Sequence, residues 1–222
     1  LADIYTPIKI DKIGCLQIVI GTLSFNGRVG DDFVKKLFYR NTIFMNTIGN
    51  YAPDFEIPGI DKEVYHLGSC RKKFKAIAVV FMGNDSADVD HYIERLKQIQ
   101  TDFGDQNFTI MGIDSNYRPE PIAESMKAMQ NYAQEKSLNF PYLRDPTQDV
   151  AKAFKVKVIP TIYLLDTDAV IRYQGRIDDC AESVDQVNDH YLRDNITALL
   201  AGGKITKDFI EPVGTKINWR PE

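Results

Sequence analysis

The chain has 222 residues, 44% of them apolar and 26% charged, with a net charge of −4. This is an ordinary composition for a soluble globular protein, long enough for one full core plus an extension. The negative balance gives no electrostatic ground for binding nucleic acid, and the basic run Arg71-Lys72-Lys73 with Lys75 reads as a solvated turn. Cys15, Cys70 and Cys180 lie far apart, with no C-x-x-C and no Cys/His cluster at zinc spacing. Neither a metal nor another cofactor is therefore expected. An odd cysteine count argues against a disulfide framework and for a reducing or neutral compartment.

The longest apolar stretch near the start, Ile13 to Phe25, contains Gln17 and at 13 residues is too short to span a bilayer. Any membrane contact is expected to be peripheral or through partners. The chain starts at Leu1 with no Met, which fits a processed mature form as well as an incomplete chain. On the first of these readings the expected compartment is a plastid or mitochondrion.

Residues 1–50 differ from the rest of the chain. Leu16–Phe25 is apolar and β-branched and predicts a strand; Asn26-Gly27 and Gly30 predict turns. Asp31-Asp32 suits the cap of a short helix through Phe33, Val34, Leu37 and Phe38. So many apolar side chains must pack on something, so the segment is expected to be a docking arm for another protein.

From Tyr51 the chain punctuates cleanly. Ala52-Pro53-Asp54-Phe55 and Ile57-Pro58-Gly59 are turn or edge material, and Glu63–Leu67 alternates as a short strand would. Ala76 to Met82 reads as a strand buried on both faces. Gly83 breaks it, and Asn84, Asp85 and Ser86 can cap a helix carrying Val89, Ile93, Leu96 and Phe103. Phe108 to Ile113 is a second buried strand, ending at Asp114-Ser115-Asn116. A helix opens at Arg118-Pro119-Glu120-Pro121 and runs through Ile122, Met126, Met129 and Tyr132. Phe140–Asp145 reads as a linker with a capping Asp before a helix over Thr147–Phe154.

Ile159-Pro160-Thr161 precedes a strand, Ile162 to Leu165, and Asp166-Thr167-Asp168 turns into a return strand, Val170–Tyr173. Val184–Leu200 predicts an amphipathic helix stopped by Gly202-Gly203, and Lys204–Glu222 shows no period. The expected fold is α/β: a central mixed sheet, parallel at first and closed by an antiparallel hairpin, with helices on both faces. The expected division is an N-terminal extension at 1–50, a domain at 51–203 and a C-terminal tail at 204–222.

A buried strand running into a capped helix is where an open α/β sheet places its functional loop. The order and the residues together resemble the thioredoxin-like superfamily, and within it the redoxin branch, the alkyl hydroperoxide reductase / thiol-specific antioxidant family. Ala52-Pro53-Asp54-Phe55 is similar to that family's A-P-D-F opening, and Phe81 to Leu96 to the pattern F-x-C-N-H-C-P-x-V-x-x-x-x-x-R-L. Phe140-Pro141-Tyr142-Leu143 through Phe154, Tyr173 to Asp179, and the tail Val213 to Pro221 resemble further segments. The resemblance covers about residues 51–222 and implies a thioredoxin-like fold with a cis bond before Pro160.

It also marks departures. Gly83 and Ser86 stand where the resemblance places two loop cysteines, Asp85 where it places a His and Ala87 where it places a Pro. Val158 and Thr215 stand at two further cysteine positions. Thiol–disulfide exchange and peroxide reduction need a thiolate, and a serine hydroxyl needs a positioned base before it attacks anything. Ser86 is therefore expected to cap its helix, and Asp85, Asp88 and Asp90 to compensate the helix dipole. His66, His91 and His190 read as surface or packing residues.

The expected function is that of a non-catalytic subunit, structural or binding, in a larger protein assembly. Gly83, Ser86 and Pro160 would then be vestiges of an active site. The alternative is a thiol peroxidase or oxidoreductase using a displaced cysteine, Cys70 or Cys180, with the basic run lowering the pKa of Cys70. A third reading is a small-molecule binder using the groove by Pro160.

Overall fold

The structure, a computed structural model, describes residues 9–10, 15–20, 23–28 and 47–221. It divides into two units, Leu1–Asn46 and Thr47–Glu222. In the first, β1 (Lys9–Ile10), β2 (Cys15–Ile20) and β3 (Leu23–Arg28) form an antiparallel sheet in the order β1-β2-β3. The single strand expected over Leu16–Phe25 is thus two strands, paired from Ile20↔Leu23 to Cys15↔Arg28. Asn26 and Gly27, expected as a turn, lie inside β3. The helix expected after Asp31-Asp32 lies outside the described residues.

The second unit opens with β4 (Glu56–Pro58) and β5 (Val64–His66), an antiparallel pair, followed by the short helix α1 (Leu67–Cys70). Then come β6 (Ala76–Phe81), the one-turn α2 (Ala87–Asp90), α3 (Ile93–Phe103), β7 (Phe108–Asp114), α4 (Ile122–Glu135) and β8 (Tyr142–Arg144). After α5 (Asp149–Ala153) come β9 (Val158–Ile159), β10 (Thr161–Asp166), β11 (Ile171–Gly175), α6 (Tyr191–Leu200) and β12 (Thr215–Lys216). The main sheet has the order β11-β10-β6-β7-β8. β6, β7 and β8 run parallel, and β10 is antiparallel to both β6 and β11. Every residue of β6 and β7 is buried, so both faces of the sheet are covered, as continuous apolar strands require. Phe81, Phe154 and Tyr163 pack ring against ring, with centroids 5.0–5.9 Å apart, and tie α5 to β6 and β10.

Three expectations change here. Phe140–Asp145 is not a linker: Tyr142–Arg144 is buried and pairs in parallel with Gly112–Asp114. Its three residues are too short to show a period. The first long helix breaks at His91-Tyr92, where the Tyr92 N–H bonds to Val89 C=O, one residue nearer than in an α-helix. The helix expected from Val184 begins only at Tyr191, because the Asp179 carboxylate accepts the N–H groups of Asn188 and Asp189 at 3.0 and 3.2 Å. It ends as expected, with Gly202 at φ +68° and the N–H groups of Gly202 and Gly203 returning to Leu199 and Ala198. The tail is bonded into the unit: β12 pairs antiparallel with β9, and Gln174 of β11 bonds to Asp208 and Ile210.

The unit begins at Thr47, four residues ahead of the expected start at Tyr51. Gly49 N–H donates to Ile171 C=O at 2.8 Å, Ile171 N–H to Asn50 C=O at 2.9 Å, and the Thr47 hydroxyl to the Gln174 side chain. These bonds cover the outer edge of β11. A chain starting at Thr47 is expected to fold, and one starting at Tyr51 to be less stable by about 1–3 kcal/mol, at roughly 1 kcal/mol per net hydrogen bond lost. Urea unfolding of the two chains checks this; equal midpoints would show that the segment 47–50 contributes nothing.

Candidate functional site

The loop between β6 and α2 sits at the carboxyl edge of the parallel strands. Gly83 and Ser86 are buried, and so is Pro160, which follows a cis peptide bond as expected. A Cβ on Gly83 would stand 2.8 Å from Asn116 Nδ2 and 3.1 Å from Ile159 Cδ1, so the loop is filled at this point. Ser86 stands at the N-cap of α2 in extended conformation, but its side chain does not cap the helix. Its hydroxyl donates instead to Thr215 Oγ1 at 3.3 Å, and the Thr215 hydroxyl donates to Asp88 Oδ2 at 2.6 Å. Thr215 is opposite Ile159 in the β9–β12 pair, and Lys216 is opposite Val158. The four positions that the resemblance singled out, Gly83, Ser86, Val158 and Thr215, therefore come together in space.

The tail reaches them as an extended strap. A Cβ on Gly214 would lie 2.1 Å from Ile159 O, so only glycine lets the backbone approach β9 this closely. Ile217 is buried and its N–H donates to Lys157 C=O at 3.2 Å. Asn218 N–H donates to Asn116 Oδ1 at 3.0 Å, its C=O accepts from Tyr117 N–H and Gln148 Nε2, and Arg220 N–H donates to Gln148 Oε1 at 2.8 Å. This recognition is mostly of main-chain groups, which is why the tail showed no side-chain period.

Beneath the loop lies a polar network that the sequence did not announce. Asp114, at the end of β7, is fully buried; Arg118 Nη2 reaches its Oδ2 at 3.1 Å, and Arg144 Nη1 its Oδ1 at 3.5 Å. Burial pushes the Asp114 carboxyl up from its ordinary value, against the pull of the two guanidiniums and the Asn116 N–H. Arg118 also bonds Asn84 Oδ1 at 2.5 Å and Asp85 Oδ2 at 3.2 Å, fixing the loop. Asn116 Nδ2 donates to Asp85 Oδ1 at 3.1 Å. Asp145 accepts the Ser115 hydroxyl at 2.8 Å and the Ala151 N–H at 3.0 Å, so it does hold the start of α5 as a cap.

Asp85 and Asp90 do more than compensate a dipole. Asp85 pairs with Arg118, and Asp90 accepts the Tyr132 hydroxyl at 2.6 Å. Cys70 and Cys180 are free thiols on other elements, and neither is among the groups bonded in this loop. Burial pushes the Cys70 thiol up, and Lys73 offsets this only in part, so the expected lowering by the basic run does not occur. The Cys180 sulphur lies 3.9 Å from the Glu182 carboxylate. Among the described residues no group of three or more His, Cys, Asp or Glu could hold a metal ion, and no helix is long and apolar enough to cross a membrane.

This mixed sheet, with a loop, a cis-proline and a strap meeting at its carboxyl edge, is a thioredoxin-like α/β fold. The chain belongs to the AhpC/TSA family, which it matches over residues 48–174, more than half its length. Its structure is similar to an uncharacterized conserved protein of Geobacillus kaustophilus, with 28% identity, TM-score 0.73, and coverage of 79% of this chain and 93% of that one. It is similar to a hypothetical protein of Sinorhizobium meliloti, with 26% identity, TM-score 0.72, and coverage of 79% and 96%. A thiol:disulfide interchange protein of a Bacteroides species shares the fold at 17% identity and TM-score 0.55, covering 71% and 92%. Comparison with curated proteins finds no match.

Two substitutions test this geometry. Asp114→Asn is expected to destabilise the unit by about 3–5 kcal/mol, because it takes the carboxylate from the buried Arg144 and one of two carboxylates from Arg118; the thermal midpoint reads it. Gly83→Ala is expected to cost about 1–3 kcal/mol by overpacking. That cost should shrink in an Asn116→Ala background, where the clashing amide is gone. Independent effects in this double-mutant cycle would show that Asn116 does not fill the space beside Gly83.

Proposed function

We propose that this redoxin carries out no thiol chemistry at its loop and acts as a structural or binding subunit of a larger protein assembly. The segment ahead of Thr47 serves in this reading as the arm that meets the other subunits. One observation carries it: Gly83 and Ser86 are both buried, and neither bears sulphur. The hydroxyl chain Ser86–Thr215–Asp88 and the β9–β12 pair further bind the chain's own tail across the loop. A redox loop needs a reactive thiolate that its substrate can reach, and here the strap takes up the edge beside the cis-proline. The same pairing speaks against a small-molecule groove by Pro160. The raised pKa of Cys70 speaks against Cys70 as a displaced catalytic cysteine.

The purified chain is expected to show no consumption of hydroperoxide with a thiol reductant, and no reduction of a protein disulfide, beyond what Cys15, Cys70 and Cys180 contribute as ordinary thiols. A catalytic turnover abolished by Cys70→Ser or Cys180→Ser alone would overturn the proposal and make the protein an enzyme with a relocated thiol. For the arm, the chain beginning at Thr47 should be monomeric in light scattering and should no longer co-purify with the partners that the full chain retains.

A further inference from the structure

At the corner between β5 and α1, Asp54, His66 and Ser69 form one hydrogen-bonded chain that lies outside the loop and its network. His66 Nε2 is 2.9 Å from Asp54 Oδ2, and His66 Nδ1 is 3.0 Å from Ser69 Oγ. Asp54 is itself fixed, because its Oδ1 accepts the N–H groups of Phe55 at 3.1 Å and Gly68 at 3.0 Å. An ionised carboxylate can only accept, so a neutral His66 carries its proton on Nε2, toward Asp54. Nδ1 is then left with its lone pair facing the Ser69 hydroxyl. Nucleophile, base and orienting carboxylate thus stand in the order that covalent acyl transfer requires. Ser69 is exposed, and the His66 side chain is 42% exposed, so the group is reachable from solvent. The sequence hid it because Asp54 and His66 lie twelve residues apart and meet only through the β4–β5 pairing.

We propose that Ser69 is the nucleophile of an acyl-transfer site, with His66 as general base and Asp54 as the residue that positions His66. The substrates are small activated carboxylic esters, since the site opens directly to solvent. Ser69 Oγ attacks the ester carbonyl while its proton passes to His66 Nδ1. The tetrahedral adduct collapses, the bond to the leaving oxygen breaks, and His66 returns the proton to the departing alcohol. Water then attacks the acyl-Ser69 ester, giving up a proton to His66. That proton returns to Ser69 Oγ as the carboxylic acid leaves.

The test uses the full chain carrying Cys70→Ala, which removes the neighbouring thiol as a competing nucleophile, and 4-nitrophenyl acetate as probe. Nitrophenolate release is followed, and peptide mapping by mass spectrometry locates the acetyl group. The expected result is acetyl on Ser69, lost in Ser69→Ala. His66→Gln keeps an N–H for Asp54 but supplies no base, and acetylation there should fall at least about tenfold. Absence of acetyl-Ser69 and an unchanged rate in His66→Gln would each overturn the proposal. They would leave the three side chains as a brace for the corner.

Discussion

A carboxylate with no exposed surface must be held by countercharge and hydrogen bonds, and Asp114 is such a group at the end of the central parallel strand. Its requirements organise the carboxyl edge of the sheet. Arg118 comes from the segment leading into α4 and Arg144 from the end of β8, so meeting the demands of one carboxylate joins two elements to β7. Arg118 then has bonds left over for Asn84 and Asp85, which set the conformation of the loop after β6. Arg144 also donates from Nη1 to Asp114 C=O and from Nη2 to Asn116 C=O. Asn116, held in this way, offers one amide atom to Asp85 and the other to the tail.

The strap depends on that arrangement. Asn116 and Gln148 present side-chain amides to the backbone of Asn218 and Arg220, and the edge of β9 takes Thr215 and Lys216. With Gly83 blocked by the Asn116 amide and Ser86 tied through Thr215 to Asp88, the loop is packed from below and covered from outside. Such a loop is suited to rigidity. This is the physical content of reading the family's fold here as scaffold, and it makes the strap as much a part of the site as the loop itself.

The Asp54–His66–Ser69 chain stands apart from this edge. It belongs to the entry corner, where α1 has only four residues and much of its fixing comes from Asp54 and Phe55. The scaffold reading and an acyl-transfer site at the corner do not compete, because the groups that would serve each share no residue.

Some of this was legible in the residues. Ala76 to Met82 and Phe108 to Ile113 are apolar without a break, and a strand of that kind has to be covered on both faces whatever its neighbours. Gly202-Gly203 stops a helix through backbone freedom that belongs to glycine itself, and Pro160 and the missing loop sulphurs could be read directly, because each is a property of a residue and its near neighbours in sequence. What depended on partners far along the chain could not be read. Tyr142–Arg144 is a strand only because β7 lies beside it, and the Ser86 hydroxyl finds its acceptor in Thr215, 129 residues on. Lys73 promised a lowered Cys70 thiol, but burial, which the sequence does not show, acts more strongly than the charge. The sequence alone determined the two long buried strands and the absence of thiols at the loop. The tertiary structure alone decided how the loop is filled, covered and held, since hydrogen bonds and burial are settled by groups that only folding brings within about three ångströms of each other.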